Sequence, residues 1–224
     1  MPLLTPTPSL PDVAAPLDLP GGVLEQPLYV TPIPIGPRWS CTDIADAGWQ
    51  PTCGQATLAG DQVVVWLAER QQRSGDPLPI WKVRLIVHDP HADRWIVALQ
   101  NGYDNQAAAS VTVREIRVPG SDAPLLLVAF RQGAGDDHAL SYDVVAGQRD
   151  GLPYVAGGAR SIERGSLVLD GGRLREYAAD CPEGPATCAP DRTVVRELTF
   201  AIDGRLHIAS FTTQPGAPPP GDVP

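Results

Sequence analysis

Apolar and polar residues alternate with a period of two through much of this chain, which is the spacing of a half-buried β-strand rather than a helix. Trp81, Val83, Leu85 and Val87 alternate with Lys82, Arg84, Ile86 and His88. Trp95, Val97 and Leu99 alternate with Ile96, Ala98 and Gln100, and the intervening Asp89-Pro90-His91-Ala92-Asp93 is rich in turn formers. Setting His88 opposite Arg94 brings Val87 opposite Trp95 and Leu85 opposite Val97. This register gathers Trp81 and Trp95 on one apolar face of an antiparallel hairpin.

The same device recurs toward the C-terminus. Leu198, Phe200 and Ile202 alternate, Asp203-Gly204-Arg205 turns, and Leu206 and Ile208 follow, so a three-residue loop sets Ile202 against Leu206 and Phe200 against Ile208. Leu167 and Leu169 precede Asp170-Gly171-Gly172-Arg173 and Leu174, a hairpin with a four-residue loop. Leu125 to Phe130 is apolar without alternation between two Gly-containing turns, the pattern of a central strand buried on both faces. Val111 and Val113 point one way and Ile116 and Val118 the other, which a bulge near Arg114-Glu115 reconciles. Leu140, Tyr142 and Val144 mark a further strand. Three consecutive valines favour strand over helix between Asp61 and Arg73, and Ser40 is placed to cap a short helical turn ended by Gly48. About nine short strands make an all-β fold, or a β-rich α+β one. Its expected form is an antiparallel sandwich or barrel-like sheet of meander hairpins with at most one or two short helices.

The two ends differ in kind from this core. Residues 1–37 hold ten prolines and read as a Pro-rich tether whose later part, from about Val23, packs on the domain. Residues 38–211 form a single β-rich domain, with a disulfide-rich segment at 38–60. Residues 212–224 form a flexible Pro/Gly tail.

Composition narrows the function. The formal net charge is −9 and Lys82 is the single lysine, which argues against nucleic acid and against a polybasic membrane patch. The longest apolar runs are six residues, far short of the roughly 20 a membrane-spanning helix needs. The beginning, Met1-Pro2-Leu3-Leu4, lacks the charged and apolar regions of a signal peptide. The chain is then cytosolic, or exported by a signal or membrane anchor preceding Met1. The cysteines favour export to an extracellular or periplasmic site. Cys41 with Cys53 and Cys181 with Cys188 are local pairs among turn formers, spaced by eleven and six residues. Zinc ligands usually stand about two to four residues apart, so two local disulfides are expected ahead of a zinc site or free thiols.

No strong catalytic motif occurs: there is no phosphate-binding Gly-rich loop, no Gly-x-Ser-x-Gly elbow, no His-Glu-x-x-His and no Cys-x-x-Cys. Asp136, Asp137 and His138 form a polar cluster at a strand connection, and Asn101 to Asn105 is an oxygen-rich loop. Either is suited at most to a calcium ion, although neither carries the spaced carboxylates of a calcium loop. Trp39 and Trp49 lie in the disulfide-rich segment, where an aromatic face can stack on a sugar or hold a peptide. The expectation is a non-catalytic exported β-domain acting by surface binding, as an envelope component or accessory subunit with a protein or glycan partner. A carbohydrate-binding module using Trp39 and Trp49, and a secreted hydrolase using the Asp/His cluster, are the alternatives.

Overall fold

The structure is a computed structural model, and it describes residues 23–27, 32–89, 91–101, 106–134, 137–149, 151–180 and 192–221. Within them the chain is all-β, with antiparallel pairing throughout and one four-residue helix, α1 (Cys41–Ile44). The first sheet contains β1 (Leu24–Glu25), β2 (Pro32–Ile33), β3 (Gln50–Leu58), β4 (Gln62–Gln71), β5 (Ile80–Asp89), β6 (Arg94–Asn101) and β7 (Gln106–Ala107). Its order is β1-β6-β5-β4-β3, with β2 also on β6 and β7 on β5. The second sheet is the meander β8 (Ser110–Ile116), β9 (Leu125–Ala134), β10 (Asp137–Arg149) and β11 (Leu152–Glu163). The third is the meander β12 (Ser166–Asp170), β13 (Arg173–Ala179), β14 (Arg192–Phe200) and β15 (Leu206–Pro215). Cys181 and Cys188 lie outside the described residues.

The three sheets stack as layers. Val64, Ala68, Val83, Leu85 and Val87 of the first sheet meet Leu126, Val128, Phe130 and Val145 of the second. The opposite face of the second sheet, with Leu127, Ala129, Leu140, Tyr142 and Val144, meets Leu167, Leu174, Leu198 and Leu206 of the third. Between these two cores β9 has no solvent face from Leu125 to Phe130, which is why that run is apolar at every position and almost fully buried. Tyr142 reaches across the second interface, its hydroxyl donating to Glu176 Oε2 at 2.7 Å, while Arg196 pairs with Glu176 Oε1. Burial, and next the adjacent Glu176 carboxylate, raise the Tyr142 phenol well above its ordinary pKa.

The first sheet is also covered on its outer face. Val65, Leu67, Ile86 and Val97 there pack with Ile33, Ile35, Trp39, Cys41 and Ile44 of the crossing N-terminal segment. A disulfide joins Cys41 to Cys53 of β3, with Cα atoms 5.7 Å apart. Val64 and Val65 thus face two different cores, and the consecutive apolar residues of β4 read as a strand buried on both sides.

Three expectations need correction. Trp81 and Trp95 stand on opposite faces of their sheet, Trp81 in the core between the first two sheets and Trp95 in the outer cluster. The hairpin pairs Asp89 with Arg94 and His88 with Trp95, one residue away from the expected register, and a one-residue slip turns every side chain of a strand over. A second shift between Leu85 and Ile86 brings Leu99 back to the inner core. No bulge occurs near Arg114-Glu115. β8 pairs regularly with β9, and Val111 and Val113 face one core while Ile116 faces the other. Ile202 does not pair with Leu206. Phe200 does, which leaves Ile202 exposed in a five-residue loop. Leu169 does oppose Leu174.

Candidate binding site

Charged residues of the first sheet collect on the outer face where its apolar half ends. Glu69 follows Leu67 on that face of β4, and Lys82 and Arg84 precede Ile86 on that face of β5. Because the N-terminal segment covers this face, these side chains are removed from water and need partners. Glu69 is fully buried, and its Oε2 lies 2.8 Å from Arg84 Nη2 and 3.3 Å from Lys82 Nζ. Its Oε1 accepts the Asp46 backbone N–H at 2.7 Å. Arg84 Nη2 also donates to the Ile44 carbonyl at 2.9 Å and lies 3.4 Å from Asp46 Oδ1. Lys82 closes the set, paired with Asp46 Oδ2 and standing 4.6 Å from the centre of the Trp49 ring.

Two carboxylates and two cations make a formally neutral group. Burial disfavours the charged form of Asp46, but the Lys82 hydrogen bond and the charges of Arg84 and Lys82 together outweigh it and hold the carboxyl below its ordinary pKa. The cluster pins the segment from Ile44 to Trp49 onto the sheet. The Asp43 carboxylate, in turn, accepts the Ser40 backbone N–H at 2.8 Å and orders the start of α1.

Beside this cluster opens a cleft of about 540 Å³. Ile33, Pro34, Ile44 and Val97 form its apolar wall, and Asp43, Asp46, Arg84 and Gln100 its polar side. An apolar wall with a few fixed polar groups is the make-up of a small-ligand or peptide site. With the four ionised groups turned on one another, the cleft offers shape and hydrogen bonds, and its charges are committed to holding its wall in place.

The residues singled out from the sequence fall in different places. Trp39 packs into the outer apolar cluster. Trp49 is half-buried beneath Lys82. Asp136 lies outside the described residues, and Asp137 is described only through its backbone, which pairs with Ala134. His138 is half-buried, with Nε2 3.0 Å from the Gly165 carbonyl and Nδ1 3.4 Å from Arg131 Nη2. It lines a second cavity of about 390 Å³, formed with Arg131, Arg164, Ser166 and the tail residues Ala217 to Gly221. Asn101 is buried and spent on the sheet: its Oδ1 accepts the Val83 N–H at 2.7 Å and its Nδ2 donates to the Trp81 carbonyl at 2.8 Å. Among the described residues no three His, Cys, Asp or Glu side chains converge as metal ligands would.

The cluster of Asp46, Glu69, Lys82 and Arg84 was not singled out from the sequence, where Lys82 and Arg84 read as the mixed face of a hairpin. The signal was present in β4. Val65 and Leu67 are apolar on the same face, so that face is covered and the charges beyond them must be buried and paired.

These features define an all-β protein of three stacked antiparallel sheets with a disulfide-anchored cleft on its outer face. The chain matches no protein-family model, no curated protein and no solved structure.

Proposed function

We propose that this chain is a non-catalytic exported β-domain that acts by surface binding, as an envelope component or accessory subunit, and that the cleft beside α1 is where it binds. The observation that carries the reading is the closure of the charge cluster. Asp46, Glu69, Lys82 and Arg84 are engaged with one another, so the cleft is a shaped, mostly neutral recess held by ion pairs. The Cys41–Cys53 disulfide is compatible with an extracellular or periplasmic location. Among the described residues no helix is long and apolar enough to cross a membrane.

The test is site-specific photo-cross-linking of the full chain in its native cell, with the photoreactive side chain at Gln100 on the cleft. A cross-linked envelope protein or glycan is expected. The product should disappear when Val97→Asp puts a charge on the apolar wall, and the chain should be recovered with Cys41 and Cys53 oxidised. Recovery from the cytosol with both thiols reduced, or a cross-link indifferent to Val97→Asp, overturns the reading.

A further inference from the structure

Among the described residues the outer edge of β15 is bare. Its residues from Ala209 to Pro215 hold strand geometry, those from Ser210 onward pair with β14, and every one of them is exposed. β15 is the last strand of its sheet, and among the described residues nothing pairs with its far side. An unpaired edge presents a row of N–H and C=O groups ready for another strand, and proteins ordinarily blunt it with charge, proline, short strands or cover.

The other sheet edges are blunted. β6 is flanked by two-residue strands, and β3 carries Pro51 and the Cys53 disulfide. β8 carries Arg114 and Glu115, and β11 carries Pro153, Arg160 and Glu163. The tail residues Ala217 to Gly221 lie beside Ser166 of β12. By contrast Ile208 to Gln214 contains no charged side chain, in a chain of net charge −9, and ends only at Pro215. Phe211 is 58% exposed in the middle of this stretch.

We propose that β15 pairs antiparallel with β15 of a second copy of this chain, joining two third sheets across a two-fold axis at Thr212. The uncharged edge suits a second copy as occupant, because it can meet itself without opposing like charges. Two strongly acidic molecules repel over most of their surfaces and can approach where the surface is neutral. In self-pairing about this centre Thr212 meets its own copy, Phe211 meets Thr213 and Ser210 meets Gln214, so no like charges stand opposite each other. A two-fold contact uses the same patch twice and closes as a dimer. The third sheet lies two layers from the cleft beside α1, so dimer formation and cleft binding can fail separately.

Sedimentation equilibrium of the full chain across a dilution series tests it. The wild type is expected to reach a dimer. Thr212→Lys, which sets two ammonium groups facing each other across the axis, should weaken association by roughly tenfold or more. Thr212→Val should retain the dimer, and both variants should keep the wild-type circular dichroism because the position is exposed. Amide exchange of β15 should slow as concentration rises. A wild type that stays monomeric throughout overturns the proposal, as does a dimer that survives Thr212→Lys unchanged.

Discussion

Asp143 is the residue whose chemistry is most out of keeping with its place. It lies fully buried in β10, and its Oδ2 accepts two backbone N–H groups, Val23 at 2.8 Å and Leu24 at 2.6 Å. It thereby ties the start of the described chain to the middle sheet. Gly158, its cross-strand partner, has no side chain, and a Cβ there would strike Asp143 Oδ1. Burial is the largest influence on the carboxyl. It outweighs the two N–H donors and the charge of Arg160, and the pKa rises from 3.8 to about 7. The sign follows directly. A carboxyl with a folded pKa above its unfolded one favours folding while protonated, so its contribution is greatest below about pH 4. It declines as pH rises toward 7 and is level above that. The full span is about 3 to 5 kcal/mol. Asp143→Asn keeps an acceptor for Val23 and Leu24 and cannot ionise. Urea unfolding at several pH values should therefore show the variant gaining on the wild type between pH 4 and 7. A difference that stays constant with pH would rule this titration out.

At the scale of elements, turns decide where strands lead, and one turn is held by a carbonyl. Gly120, in the connection between β8 and β9, has φ +86°, and a Cβ there would collide with the Phe200 carbonyl oxygen. The neighbouring Pro119 carbonyl accepts the Phe200 N–H at 2.8 Å and the Thr199 hydroxyl at 2.9 Å, so this turn docks the middle sheet against the third. Gly75 has a similar φ of +92°, with nothing within 4 Å of the Cβ position. Alanine at Gly75 should cost about 1 kcal/mol for the left-handed backbone alone. Alanine at Gly120 adds a backbone collision and should cost about 2 to 4 kcal/mol. Paired denaturation curves check this, and equal losses would show that the Phe200 carbonyl yields freely. Turns also explain how far the fold was legible. Alternation located β5 and β6 and the facing ends of β14 and β15, because each strand's own side chains carry that signal, but β15 continues to Pro215 through residues expected in the tail. Register depends on loop length, and the two misreadings had unequal effects. Ile202 against Leu206 was wrong by an even step, and Phe200 and Ile208 kept their core face. Val87 against Trp95 was wrong by an odd step, and Trp95 changed sides. The candidate cleft was hidden for a related reason. Lys82 and Arg84 look solvated within β5, and only the N-terminal segment crossing over them, a long-range contact, buries them.

At the scale of the whole molecule, the middle sheet belongs to two cores at once. Leu126 and Leu127 are adjacent in β9 and both fully buried, but Leu126 packs against the first sheet and Leu127 against the third. If the two cores were independent folding units, each substitution would weaken only its own. A shared sheet forbids that, because β9 and its neighbours cannot leave one core while remaining in the other, and Tyr142, Glu176 and Arg196 link the second and third layers by buried polar contacts. Leu126→Ala and Leu127→Ala should each cost about 2 to 5 kcal/mol by loss of burial and creation of a cavity. Both should shift the same single transition in scanning calorimetry, with calorimetric and van't Hoff enthalpies in agreement. A profile that splits in two, with Leu127→Ala lowering one step and Leu126→Ala the other, would mean that the third sheet melts on its own. The bare β15 edge would then belong to a separable layer, whereas a single transition makes that edge part of the rigid body that carries the cleft.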